Sequence, residues 1–297
     1  MNLHFPAGLR LARLCKTIWA ELTFPQSCAP GHYYSPIPAR AELERDAARI
    51  FSKQAAALPE IDLNERAQLE LLGRLAAQVA RLGWPPAPAG GARYRPENDY
   101  FPAADGVLLA GMLLAHRPAR YVEIGSGFSS ALALDVAEAG LEGQLACTFI
   151  DPSPGRLRSL LRAGDLDRAQ VLRQRVQDVP DALFRSLAPR DILFVDSSHV
   201  AKAGSDLCDI LFRVLPLLPP GVLIHFHDVT WPFEYRRQDV LRGRSWNEAY
   251  LLRAFLANNC AYTIRLFASW LEQCHPAGWR AAFPYSAASS LWLEKIC

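Results

Sequence analysis

The chain has 297 residues, 51% hydrophobic and 21% charged, with 32 basic and 30 acidic side chains for a formal charge of +2. So large an apolar fraction with so little net charge excludes an intrinsically disordered chain. It also speaks against nucleic acid as the partner, because phosphate binding draws on counterion release by an excess of Lys and Arg.

Seven cysteines, at positions 15, 28, 147, 208, 260, 274 and 297, are scattered and form no C-x-x-C pair. Neither a zinc ribbon nor a thioredoxin-type site is offered, and free thiols in a reducing cytoplasm are the expectation. The longest apolar run, Val107 to Ala115, falls well short of the ~20 residues that cross a bilayer. Leu9 to Leu22 sets Arg10, Arg13 and Lys16 among Leu9, Leu11, Leu14 and Trp19. It lacks the uninterrupted apolar stretch and small-residue cleavage site of a signal peptide. A helix packed on the body is expected there, with attachment to a membrane surface as the alternative.

Residues 1 to about 93 read as a helical, loop-rich extension, and 94–297 as the main domain. Within the extension, Asn64-Glu65 opens a helix with Leu69, Leu72, Leu75 and Val79 on one face, ending at Gly83. Pro85-Pro86-Ala87-Pro88-Ala89-Gly90-Gly91 then breaks regular structure. A short helix, Asp105 to His116, follows.

From Arg120 onward, short apolar runs alternate with helical stretches: Tyr121–Ile124, Ala146–Ile150, Val171–Leu172, Ile192–Val195 and Val222–Phe226. Runs of this length suit strands buried on both faces, and the alternation implies a parallel α/β sheet with right-handed crossovers. Ala261–Leu271 and Ser290–Ile296 are strand-like and joined by a loop with no clear helix, which predicts an antiparallel closing pair.

The sharpest chemical signal is Tyr121-Val-Glu-Ile-Gly-Ser-Gly-Phe-Ser-Ser-Ala131, a strand running through Gly125-Ser126-Gly127 into a helix. Glycines there allow a tight turn and close backbone approach to a ligand at a helix N-terminus. The next strand ends on Asp151, 26 positions beyond Gly125, where a carboxylate can accept hydrogen bonds from both ribose hydroxyls of a nucleoside. A pyrophosphate cradle usually carries a third glycine, but Ser130 stands there, and the acid Glu123 precedes the turn. That acid opposes a dinucleotide and suits a cationic ligand such as the methionine part of S-adenosylmethionine. Gln177-Asp178, after the third strand, are placed to meet an adenine amine. The fourth strand ends in Asp196-Ser-Ser-His199 and the fifth in His225-Phe-His227-Asp228, so these polar groups also fall at strand carboxyl ends.

With Asn98-Asp-Tyr-Phe101, Val122-Glu-Ile-Gly-Ser-Gly-Phe-Ser-Ser130, Phe149-Ile-Asp151, Phe194-Val-Asp-Ser-Ser-His199 and His225-Phe-His-Asp228, the sequence resembles the class I S-adenosylmethionine-dependent methyltransferases, in the group called methyltransferase family 24. Gly31-His-Tyr-Tyr-Ser-Pro36 and Ile61-Asp-Leu-Asn-Glu65 also resemble bacterial members, so the likeness covers most of the chain. The resemblance implies a Rossmann-like, seven-stranded, mostly parallel sheet with an antiparallel last strand. It implies that Glu123, Gly125 and Gly127 line the methionine side, with Ser126, Ser129 and Asp196 beside them, that Asp151 holds the ribose, and that Gln177 and Asp178 lie near adenine.

His199 is the candidate general base, since an imidazole of ordinary pKa near 6.5 can take a proton from an acceptor hydroxyl; a histidine capping the following helix is the structural alternative. Related O-methyltransferases of antibiotics and sugars hold magnesium on a similar acidic set, which Asp196 and Asp228 match. His227 stands where those relatives carry a second acid, and imidazole suits softer metals than magnesium, so a divalent metal is an open expectation. His227 is carried as a second catalytic candidate, whereas His225 is expected to be a buried histidine with a satisfied partner.

Arg236, Arg237, Arg242 and Arg244 follow Trp231-Pro-Phe233, either as an acceptor lid for a sugar or an anionic group or as a solvated loop. The expected acceptor is a small-molecule, sugar or glycan hydroxyl. Two rivals remain: a cofactor-binding protein without transferase activity, and an oxygenase holding iron on Asp196, Asp228 and His227. A serine hydrolase built on Ser129, Asp196 and His227 fails on context, because Gly125-Ser126-Gly127 separates the serine from its strand.

Overall fold

The computed structural model describes residues 27–51 and 55–297, so the expected helix Leu9 to Leu22 lies outside the described residues. Contacts divide the chain into two units, Met1–Ser52 and Lys53–Cys297. In the first, helices Arg40–Arg45 and Ala47–Ile50 bury no residue and carry only surface pairs such as Arg40–Glu44 at 2.9 Å.

The second unit begins some forty residues before the domain start expected from the sequence. The helix Glu65–Leu82 buries Leu71, Leu72, Leu75 and Val79, with Leu69 half-buried, against the helix Ala103–His116. The two helices approach closely at Gly111, where a Cβ would lie 2.9 Å from the Leu75 Cβ. The buried Gln68 carboxamide accepts a 2.7 Å hydrogen bond from the Phe267 amide, joining this helix to the sheet. The end of the proline-rich stretch is held by Arg93, whose 4% exposed guanidinium donates to Asp135 at 2.7 Å and to Asp165 at 2.8 Å. Apolar burial and a compensated buried charge thus draw residues 55–93 into the main body.

Seven strands form one sheet in the order β3-β2-β1-β4-β5-β7-β6. They are β1 Arg120–Ile124, β2 Ala146–Ile150, β3 Ala169–Leu172, β4 Ile192–Val195, β5 Leu223–Phe226, β6 Tyr262–Phe267 and β7 Leu291–Lys295. β1 to β5 are mutually parallel, and β7 runs antiparallel to both β5 and β6, as expected for the family. Strand order reverses between β1 and β4, and open α/β sheets bind ligands outside the strand carboxyl ends at such a point.

One expectation is corrected. The strand expected over Ala261–Leu271 stops at Phe267, and two helices, Ala268–Cys274 and Pro276–Ala282, fill the connection to β7. A short apolar run reads equally as strand or buried helix. Here tertiary contacts select helix, since Trp270, Leu271 and Trp279 are buried, the Ser269 hydroxyl accepts from the Trp231 amide at 2.8 Å, and the Trp270 indole donates to the Ala56 carbonyl at 3.1 Å.

Candidate active site

A cavity of about 680 Å³ opens over the carboxyl ends of β1, β2, β4 and β5. One wall is the turn after β1. Gly125 has φ +85°, and a Cβ there would sit 1.8 Å from the Asp196 carbonyl oxygen, so both the backbone conformation and the closeness of β4 require glycine. Beyond the turn, Phe128–Gly140 is a helix, and the Ser130 hydroxyl accepts from the Gly127 amide at 3.0 Å.

Asp151, at the end of β2, accepts from the Ser126 amide at 3.1 Å and hydroxyl at 2.7 Å, and from the Ser153 amide at 2.7 Å. These bonds hold the carboxylate at the cavity wall and leave lone pairs for further donors. Glu123 is fully buried beneath the turn; one oxygen accepts from the Ser129 hydroxyl and the other, Oε2, has no partner. Burial pushes its carboxyl up to about 8, against the opposing pull of the Ser129 hydrogen bond. An orphaned buried carboxylate oxygen beside a glycine turn fits a ligand bearing a cationic group. Ser129 is thus bound to an acid rather than to a histidine, unlike the serine of a hydrolase.

The adenine-side residues are placed differently from expectation. The short 3-10 turn Val176–Asp178 sends Val176 to the cavity wall. Gln177 donates instead to the Gly204 carbonyl at 2.9 Å, and Asp178 pairs with Arg175 at 2.8 Å on the surface. Tyr100, part of the Asn98–Phe101 motif but assigned no role from the sequence, adds an aromatic wall: its ring is stacked on Phe128, with centroids 6.2 Å apart, and the Arg156 guanidinium lies 3.5 Å from the Tyr100 centroid.

At the centre, His199 takes a left-handed backbone conformation, φ +59°, and is 6% exposed. Its Nδ1 is 2.7 Å from Glu248 Oε2, while Nε2 is 3.3 Å from Asp196 Oδ1 and 3.7 Å from Asp228 Oδ2. The His199 carbonyl accepts from the Asn247 and Glu248 amides at 3.0 and 3.2 Å, and the Asn247 side chain brackets Ala201, so this unusual conformation is held from the helix Glu248–Leu256. Burial alone disfavours the imidazolium, but Glu248 and Asp196 outweigh it and hold the His199 pKa well above the ordinary value. Burial likewise disfavours a charged Asp196, yet His227 and His199 outweigh it and hold its pKa low. Glu248 is a further functional candidate; in the sequence it is an ordinary acid in the first turn of a helix, 49 positions from its partner.

His227 is almost fully buried on the same cavity wall, its ring 5.1 Å from Phe101 and its Nε2 4.0 Å from Asp228 Oδ1. Burial opposes its charge, but Asp196, Asp228 and Asp105 together raise its pKa. His225 lies in the core, stacked on Phe194 at 3.8 Å and 3.1 Å from the Ser290 hydroxyl; burial first, and His227 second, depress its pKa well below the ordinary range.

Asp196 and Asp228, the pair expected for a divalent metal, gather no third ligand in a metal-binding arrangement among the described residues. His199 Nε2 stands nearest the two carboxylates, 3.3 Å from Asp196 and 3.7 Å from Asp228. Carboxylate oxygens suit magnesium, whereas the imidazoles of His199 and His227 beside them suit softer metals.

The far wall runs from Arg236 to Trp246. Arg236, Arg242, Arg244 and Trp246 line the cavity, whereas Arg237 does not.

The sequence profile of a methyltransferase domain family matches residues 122–229, from β1 to the end of the β5 segment. An uncharacterised protein of Archaeoglobus fulgidus is 34% identical over 163 residues, 53% of this chain and 72% of that one. Among solved structures, the SAH-bound methyltransferase of Podospora anserina aligns with 89% of this chain and 99% of its own, at 14% identity and a TM-score of 0.45. The O-methyltransferase TomG of Streptomyces achromogenes, in complex with SAM, aligns with 76% of this chain and 89% of its own, at 17% identity and a TM-score of 0.40.

Proposed function

We propose that the chain, whose residues 122–229 match a methyltransferase domain family, is an S-adenosylmethionine-dependent enzyme that methylates a hydroxyl of a small molecule, sugar or glycan, with His199 receiving the hydroxyl proton. When bound, S-adenosylmethionine supplies an activated sulfonium methyl, whose C–S bond breaks as the O–C bond forms while sulfur keeps the electron pair. Glu123, with its orphaned oxygen, and the Gly125–Gly127 turn would hold the cationic methionine end, and Asp151 the ribose. Val176 and the Tyr100–Phe128 stack offer apolar surface to the adenine.

The observation that carries this reading is the position of His199, on the cavity wall next to β1's glycine turn and in contact with Asp196, Asp228 and Glu248. A group-transfer site has to align the acceptor oxygen with the methyl carbon and find a place for the departing proton. Deprotonated His199 Nε2 can take that proton, and Glu248 and Asp196 then stabilise the imidazolium. Because the same carboxylates raise the His199 pKa, the neutral base becomes populated only at higher pH than for an ordinary imidazole, and transfer is expected to rise with pH.

The test is a screen of hydroxyl compounds with labelled methyl donor, run with and without divalent metal. His199→Ala is expected to lower turnover by ~10²- to 10⁴-fold while leaving S-adenosylhomocysteine affinity within a few-fold. Equal loss of both would make His199 a structural residue, and failure of the wild-type protein to bind either nucleoside would sink the whole reading.

A further inference from the structure

The walls of the cavity differ in charge. The side built by β1, β2 and β4 presents Asp151 and Asp196 over the buried Glu123, as suits a cationic methyl donor. Across from it, Arg236 and Arg242 flank the short helix Arg237–Leu241, one at each end, and both line the cavity. Arg236 is half-buried and spends one donor on the Ala287 carbonyl at 2.6 Å; among the described residues neither Arg236 nor Arg242 has a carboxylate at salt-bridge distance. Arg244 differs, since it is paired with Asp239 at 3.2 Å and lies 4.5 Å over the Trp246 ring. Trp246 in turn packs against His199, with ring centroids 4.7 Å apart. One cavity is therefore lined by the proton acceptor, the Trp246 ring packed against it and two guanidinium groups without acidic partners.

We infer that the acceptor is a hydroxy acid, whose hydroxyl meets His199, whose flat body lies along Trp246, and whose carboxylate or phosphate is held by Arg236 and Arg242. Guanidinium forks match the planar oxygens of a carboxylate and the edge of a phosphate, and they lose less solvation than an ammonium on doing so. Arg237, in the same run, faces solvent outside the cavity. Of the cluster, only the two cavity-lining members without an acidic partner, Arg236 and Arg242, are assigned to the ligand. The assignment rests on the methyltransferase reading, because it places the anion at the acceptor end of that site.

The two readings fail separately in one set of titrations. Calorimetry on the full chain first measures S-adenosylhomocysteine affinity, and loss of that binding in the wild-type protein would count against the methyltransferase reading. The loaded protein is then titrated with matched pairs, 4-hydroxybenzoate against 4-hydroxybenzamide and galacturonate against galactose. The acid of at least one pair is expected to bind ~10-fold or more tighter than its neutral partner, the scale of one or two charge-assisted contacts. The double variant Arg236→Ala/Arg242→Ala should erase that preference with S-adenosylhomocysteine affinity unchanged, while Arg237→Ala retains it. Phosphoserine against serine, run the same way, distinguishes a phosphate from a carboxylate ligand. Neutral members binding as well as the acids, no acid binding at all, or a preference that survives the double variant would each overturn the inference.

Discussion

At the turn after β1 the cavity wall is made of backbone and fixed acid, with Gly125 at φ +85°, Asp151 tied down by Ser126 and Ser153, and Glu123 sealed beneath. Across the cavity, the Arg236–Trp246 wall is made of long side chains, several of them exposed, on a five-residue helix and the loop after it. The first wall is held in shape by the sheet, because β1 is hydrogen-bonded to β2 on one side and β4 on the other, which leaves little freedom at their ends. The second can change by rotamer alone. A constant, shared ligand suits a preorganised backbone site, whereas a ligand that varies between relatives suits side chains on a surface segment, where substitution costs little stability.

Substitutions on the first wall should therefore be severe. Gly125→Ala, the largest expected effect, forces a Cβ toward the Asp196 carbonyl in a strained conformation. It should abolish measurable S-adenosylhomocysteine binding by calorimetry and cost roughly 1–3 kcal/mol or more in chemical unfolding. Binding that survives Gly125→Ala would break the contrast between rigid and adaptable walls. Asp151→Ala removes one hydrogen-bonded carboxylate and should weaken S-adenosylhomocysteine by ~10- to 100-fold. An unchanged dissociation constant would show that the ribose lies elsewhere.

Smaller changes sharpen the electrostatics of the site. Glu248→Gln removes one of the carboxylates that raise the His199 pKa, so the neutral base should be present at lower pH. The acid limb of the pH profile of kcat/KM should move to lower pH, and a limb that stays in place would assign that titration to another group. The last effect is read on stability rather than on ligand binding or turnover, and concerns Glu123, whose pKa of about 8 in the folded chain lies above its ordinary carboxyl value. Its contribution to stability is fully present below about pH 4 and is lost as pH rises through 8. Glu123→Gln, neutral throughout, should gain stability relative to the ligand-free wild type between pH 5 and 8, followed by thermal unfolding. A difference that does not change with pH would mean Glu123 is not held protonated.

Local pattern accounts for what could be read early. β1 and its Gly-Ser-Gly turn are contiguous, and the acid closing β2 follows one strand–helix–strand step later, so strand periodicity and turn chemistry suffice to mark Glu123, Gly125 and Asp151 as neighbours in a parallel sheet. The turn after β3 was less legible: Gln177 and Asp178 are polar at the expected position, but a 3-10 turn directs Val176 inward and gives the other two to Gly204 and Arg175. The connection between β6 and β7 was misread for a related reason, since an apolar run has the same composition as strand or buried helix until partners such as Trp231 and Ala56 are in place.

From sequence alone follow the parallel sheet, its antiparallel close, the nucleoside-type turn and the presence of two histidines and two acids at strand ends, because hydrophobic period and backbone-permissive residues act within a few positions of themselves. Tertiary structure decided the environment of His199, which depends on Glu248 brought from 49 positions away, and which arginines of one cluster face the cavity. It also set an imidazole beside the acids where a metal was expected. Charge interactions and burial act through space, and only the folded chain defines those distances.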